Sequence, residues 1–204
     1  MGEIMIVLID HYDSFTYNLV QYIQQITGDV QVLKCDQTTV AEIKQLNPQA
    51  IVLSPGPGTP EETGVSKEVL RYFHQHVPIL GICLGHQLIV EYFGGTIMKG
   101  KQPIHGKVDS LYHDGLLPYE GVNNPTDVTR YHSLIAEEST LPSCLQVTSR
   151  TADGVIMGIR HHCYSIEGMQ FHPEAILTTE GYHMLNNYFR SVVGLDEATK
   201  GVKQ

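Results

Sequence analysis

The run IMIVLI at residues 4–9 is apolar, rich in β-branched side chains and unbroken by a polar residue, the pattern of a strand buried on both faces. Comparable runs recur at 30–34 (VQVLK), 50–54 (AIVLS) and 78–83 (PILGIC), with helical patterns between them. Phe15, Leu19, Tyr22, Ile23 and Ile26 fall at helical spacing over 14–26, and Gly28 stops them. Thr39-Val40-Ala41-Glu42 is a capping box opening a short helix that Pro48 ends. Residues 66–76 and 84–93 complete the alternation, closed by Gly94-Gly95. Strand–helix–strand repetition of this kind demands right-handed crossovers and a parallel sheet.

Beyond residue 96 the texture changes. Segments 107–112, 126–131, 144–149, 155–160 and 163–171 read as short strands with few helices between them, and 180–192 as a closing helix. The expected fold class is therefore α/β: a single-domain, open, mixed and mostly parallel sheet flanked by helices, flavodoxin-like. One domain is expected over residues 1–194, with 195–204 a flexible polar tail.

Composition narrows the function. A chain of 204 residues with a formal charge of -9 and no Lys/Arg-rich run is not built to hold a polyanion, so nucleic acid is not an expected partner. The first apolar run is too short for a secretion signal and no apolar stretch reaches about 18 residues, so a cytoplasmic protein is expected, with no membrane contact. Cys35, Cys83, Cys144 and Cys163 are widely spaced and form no CxxC pair, so reduced thiols are expected. His161-His162-Cys163 raises a zinc reading, but adjacent strand residues point to opposite faces, and no metal is expected.

In an open α/β sheet, chemistry collects at the carboxyl ends of the strands. Four polar or Gly-rich clusters fall there: residues 10–18, 54–60, 83–87 and 171–174. G-I-C-L-G (81–85) has the layout of a nucleophile elbow, with Cys83 at a helix N-terminus that favours thiolate and the Leu84 amide free to face an oxyanion. The same letters also suit a packed cysteine at a strand–helix junction. A cysteine nucleophile needs a base and the base an orienter. In GMQFHPE, His172 follows an apparent strand and Glu174 lies two residues on, which fits both roles but also an ordinary turn. S-P-G-P-G-T-P (54–60) is a rigid loop in which Gly56 and Gly58 can offer amides to a ligand while Pro57 cannot; with no Lys after the glycines it is not a phosphate-binding P-loop. R-Y-H-S-L (130–134) carries no signature of its own.

Taken together, G-I-C-L-G-H-Q, F-H-P-E downstream and P-G-P-G upstream resemble the triad (class I) glutamine amidotransferases over nearly the whole chain. D-H-Y-D-S-F-T-Y-N, S-P-G-P-G and R-Y-H-S-L resemble that family's chorismate-utilising branch. The resemblance implies the family fold, with Cys83 as nucleophile, His172 as base and then acid, and Glu174 as orienter. It further implies Gly58 and Leu84 amides as oxyanion donors, and Gly56, Pro57, Gln87, Ser133 and Leu134 around L-glutamine. No cofactor is implied in this chain. The implied partner is a magnesium-dependent, chorismate-binding synthase subunit in a heterodimer or heterotetramer. Its product would be anthranilate, or alternatively 4-amino-4-deoxychorismate, or both. Loops 13–16 and 105–107 are the expected contacts with it. Two positions depart from the pattern: His11 stands where Asn is more usual, and Ala175 where Ser is frequent. A free-standing γ-glutamyl hydrolase, a cysteine peptidase and a non-catalytic binding module are the alternatives.

Overall fold

A computed structural model describes residues 4–195. The first half is β1 (Met5–Asp10), α1 (Thr16–Thr27), β2 (Asp29–Lys34), α2 (Val40–Gln45), β3 (Ala50–Leu53), α3 (Ser66–Phe73), β4 (Ile79–Ile82) and α4 (Leu84–Tyr92). The second half is β5 (Ile97–Lys99), β6 (Lys107–His113), β7 (Thr126–Arg130), β8 (Leu134–Ala136), β9 (Leu145–Thr151), β10 (Ile156–His161), β11 (Ile166–Met169) and α5 (Gly181–Val192). The capping box at Thr39 forms as read, with Thr39 Oγ1 accepting from the Glu42 amide and the Glu42 carboxylate accepting from the Thr39 amide.

Nine strands make one sheet in the order β2-β1-β3-β4-β11-β10-β9-β6-β7. The pairs β2–β1, β1–β3, β3–β4 and β4–β11 are parallel, and β11 through β7 pair antiparallel. The parallel half carries the flavodoxin-like order, with β11 in the fifth place although it comes last in the chain. Its strands are apolar throughout because both faces are covered. Ile6, Leu8, Val52, Leu80 and Ile82 pack with α1 and α5 residues Leu19, Ile23, Met184 and Leu185, while Val7, Ile9, Ile51, Leu53 and Ile79 pack with Val69, Leu70, Leu88 and Ile89 of α3 and α4. Among the described residues no helix is long and apolar enough to cross a membrane.

Two readings are corrected. The strand expected over 163–171 is confined to Ile166–Met169, because the 162–165 segment bends back on His161, whose Nδ1 accepts from the amides of Cys163 and Tyr164. A second sheet, β5 with β8, was not read at all. Each strand has three residues, too few for a period of two to show. The expected domain limit at 194 adjoins the last described residue, and most of the expected tail lies outside the described residues.

Candidate active site

The sheet brings together what the sequence holds apart. β4 and β11 are parallel neighbours with Ile82 opposite Met169, so Cys83 and the 170–174 segment leave the sheet side by side. The Cys83 amide donates to the Met169 carbonyl at 2.7 Å. Cys83 is the N-cap of α4 at φ 50°, ψ -98°, a conformation that costs a non-glycine residue on the order of 1–3 kcal/mol and persists only when its surroundings impose it. Those surroundings are backbone. A Cβ on Gly85 would lie 2.2 Å from the Leu53 carbonyl oxygen, and one on Gly81 would lie 2.5 Å from the Gly85 backbone. The glycines let α4 sit directly on β3 and β4, and the turn between them turns the thiol outward.

His172 and Glu174 are locked beside it. The His172 amide donates to Thr129 O at 3.0 Å, and Thr178 Oγ1 donates to His172 O at 2.7 Å. Phe15 and Tyr131 meet the imidazole edge-on, with centroids 6.1 and 5.2 Å away. Nδ1 is 2.7 Å from Glu174 Oε1, which makes Nδ1 the protonated nitrogen, while buried Nε2 has no hydrogen-bond partner among the described residues. Burial opposes a charge on this ring. The sulfur of Cys83 and the carboxylate of Glu174 outweigh it and hold His172 well above the ordinary histidine range.

A cavity of about 180 Å³ opens on the thiol, walled by Gly56, Pro57, Gly58, Gln87, Ser133 and Leu134. All six were expected there. Leu84 is the exception. Its side chain is buried under the 54–60 loop, with Cδ2 2.9 Å from where a Gly56 Cβ would be, and its amide is the first of α4. The 130–134 wall is fixed by Arg130 Nε donating to His132 Nε2 at 3.1 Å and His132 Nδ1 donating to Leu134 O at 2.9 Å. A second cavity, about 360 Å³, also reaches Cys83 and is walled by Tyr12, Asp13, Phe15, His105 and His172. Residues 13–15 and His105 thus meet at one mouth, while Thr16 is turned inward, its hydroxyl on Asp10 at 2.9 Å, and Lys107 lies away from it, paired with Asp109. A further cavity of about 300 Å³, lined by Lys101, Arg130 and Asp153 behind Ser133, touches neither Cys83 nor His172.

Two further residues bear on the site: His11, legible in the sequence only as a departure, and Gln170, which sequence reasoning missed. His11 donates from Nδ1 to Ser54 O at 3.0 Å and accepts at Nε2 from Ser66 Oγ at 2.8 Å, tying the 54–60 loop to α3. None of these bonds involves Cys83, His172 or Glu174. Gln170 is fully buried, with Nε2 3.7 Å from Cys83 Sγ. Among the described residues no group of three or more His, Cys, Asp or Glu could hold a metal ion, and all four cysteines are free.

Comparison with known proteins fixes the family. The model of "Glutamine amidotransferase class-I" matches residues 7–192. This chain belongs to the class I glutamine amidotransferases. It is 49% identical over 195 residues to anthranilate synthase component 2 of Pseudomonas putida, covering 93% of this chain and 98% of that one. It is 48% identical to aminodeoxychorismate/anthranilate synthase component 2 of Bacillus subtilis (strain 168), over 92% and 96% of the two chains. It is also 48% identical to aminodeoxychorismate synthase component 2 of Escherichia coli (strain K12), over 90% and 98%. Among solved structures, a Thermoplasma acidophilum protein provisionally assigned as a GMP synthase subunit superposes with a TM-score of 0.84 at 22% identity, covering 98% of this chain and 99% of that one. That likeness speaks for the amidotransferase fold.

The buried histidines of this amidotransferase predict its acid sensitivity. Burial pushes His86 down to about 3 and His132 to about 4, and lowers His11 as well. A histidine whose folded value is depressed stabilises above its unfolded value and loses that contribution as pH falls. Between pH 7 and 5, His86 and His132 together should remove on the order of 4 kcal/mol. His172, raised in the fold, has the opposite sign, but most of its contribution is already present at neutral pH. Urea midpoints should therefore fall steeply from pH 7 to 5; a flat profile would show these rings to be solvated.

Proposed function

We propose that this chain is the glutamine-hydrolysing component of a chorismate-utilising synthase, making anthranilate in the first reading and 4-amino-4-deoxychorismate, or both, in the alternative. The observation that carries it is the strained Cys83 at a helix N-terminus facing a His172 oriented by Glu174, in a cavity bounded by Gly56, Gly58, Gln87 and Ser133. The names of the relatives support the choice of synthase.

In this reading L-glutamine enters the smaller cavity. Cys83 sulfur attacks the side-chain carboxamide carbon, and the amides of Gly58 and Leu84 receive the oxyanion. His172 gives its proton to the departing nitrogen, the C–N bond breaks and ammonia leaves a γ-glutamyl thioester. His172 then takes a proton from water, which attacks the thioester; the C–S bond breaks, glutamate departs and the sulfur is restored. Chain residues supply every group, so the reading assigns no cofactor here and leaves magnesium to the synthase partner. His172 borders the larger cavity and not the smaller one, so ammonia released at His172 emerges between the 12–15 loop and His105. The synthase partner is placed over that mouth, as heterodimer or heterotetramer, in the cytoplasm.

The test is glutamine hydrolysis by the chain alone and with candidate synthase partners. Turnover should rise roughly tenfold or more on adding chorismate together with the cognate synthase, a barrier lower by about 1.4 kcal/mol. Full turnover with no partner would instead support a free-standing γ-glutamyl hydrolase.

A further inference from the structure

One chain of hydrogen bonds runs from a backbone carbonyl to the sulfur of Cys83, and its direction is forced. The Leu134 carbonyl can only accept. Gln87 Nε2 donates to it at 3.2 Å, and the same nitrogen donates to Gln170 Oε1 at 3.2 Å. The Gln170 oxygen is thereby committed to Gln87, and its amino group is left facing Cys83 Sγ at 3.7 Å, an ordinary separation for N–H···S. Flipping Gln170 would set two amino groups against each other and press a carbonyl oxygen on the sulfur. His132 Nδ1 donates to the same Leu134 carbonyl at 2.9 Å and anchors the far end. Gln170 is fully buried, so no solvent competes for its donor.

We propose that Gln170 is a catalytic residue whose amide donates a hydrogen bond to the Cys83 sulfur, and that Gln87 is the positioning residue that aims it. The inference rests on the reading of Cys83 as nucleophile. An N–H donor favours the charged form of its acceptor. Sulfur carries charge twice in the cycle, as the attacking thiolate and as the leaving thiolate when the thioester is hydrolysed. In the second event His172 is occupied with the attacking water, and Gln170 is the side chain left to receive the charge. Gln87 also walls the glutamine cavity, so the side chain that meets substrate is the one that sets the aim of Gln170.

The test uses the intact chain and iodoacetamide, a small electrophile with no need of the glutamine site, following the Cys83 peptide by mass spectrometry across pH. In Gln170→Leu the Cys83 rate profile should move about one pH unit toward alkaline, so labelling at neutral pH slows roughly tenfold. Gln170→Glu, with a carboxylate against the sulfur, should move it further, and Gln87→Leu in the same direction by less. Profiles of Gln170→Leu and Gln87→Leu that superimpose on the native one overturn the proposal. If the Gln170 variants do not fold, Gln87→Leu decides alone by the same criterion. A native Cys83 labelled no faster at neutral pH than exposed Cys163 would instead remove the nucleophile reading itself.

Discussion

Cys83→Ala is expected to assemble with its synthase partner and to lose glutamine-dependent synthesis by roughly 10⁴-fold or more, while synthesis from added ammonium salts stays near the native rate. The size follows from the role. Removing the atom that forms the covalent intermediate leaves only binding and oxyanion donors, and such residues act as a unit. Preservation of the complex follows from the structure, because the thiol is a small part of the buried surface and the turn at residue 83 is imposed by the packing of Gly81 and Gly85. Measuring both nitrogen sources on one preparation separates lost chemistry from lost folding. Parallel loss of both activities would mean that Cys83 holds the structure rather than the reaction.

Gly85→Ala is expected to be strongly damaging, for steric reasons alone. The added Cβ would stand 2.2 Å from the Leu53 carbonyl oxygen and 2.8 Å from Leu53 Cβ, both on a central strand that cannot yield. α4 is buried along most of its length and must move as a body, at a cost of about 3 kcal/mol or more and a fall in Tm of roughly 6–12 °C. Gly100→Ala is the control. Its nearest neighbour would be the Ser133 carbonyl at 3.4 Å, and its Tm should shift little. Equal shifts in the two variants would contradict the close approach of α4 to β3.

The parallel half was legible because strands buried on both faces are written as unbroken apolar runs, and 4–9, 50–54 and 78–83 could be read without a partner in view. The convergence of Cys83, His172 and the 54–60 loop was legible for the same reason, once each cluster was assigned to a strand's carboxyl end. What stayed hidden depended on register. Gln170 and Cys83 are 87 positions apart, and nothing in the letters M-Q-F says that β11 lies beside β4 with Met169 opposite Ile82. His11 was visible only as a departure from a pattern; its two bonds, to Ser54 and Ser66, exist because the carboxyl ends of β1 and β3 lie beside the start of α3. The strand expected over 163–171 failed through a local bond, the His161 ring capturing two amides just past β10, which no periodicity records.

The most direct measurement is the mass of the acid-quenched chain after rapid mixing with L-glutamine. Cys83 as nucleophile predicts one γ-glutamyl group, carried on the Cys83 peptide, formed faster than glutamate is released and absent from Cys83→Ala. Steady turnover with no adduct, or an adduct on Cys35, Cys144 or Cys163, would contradict it.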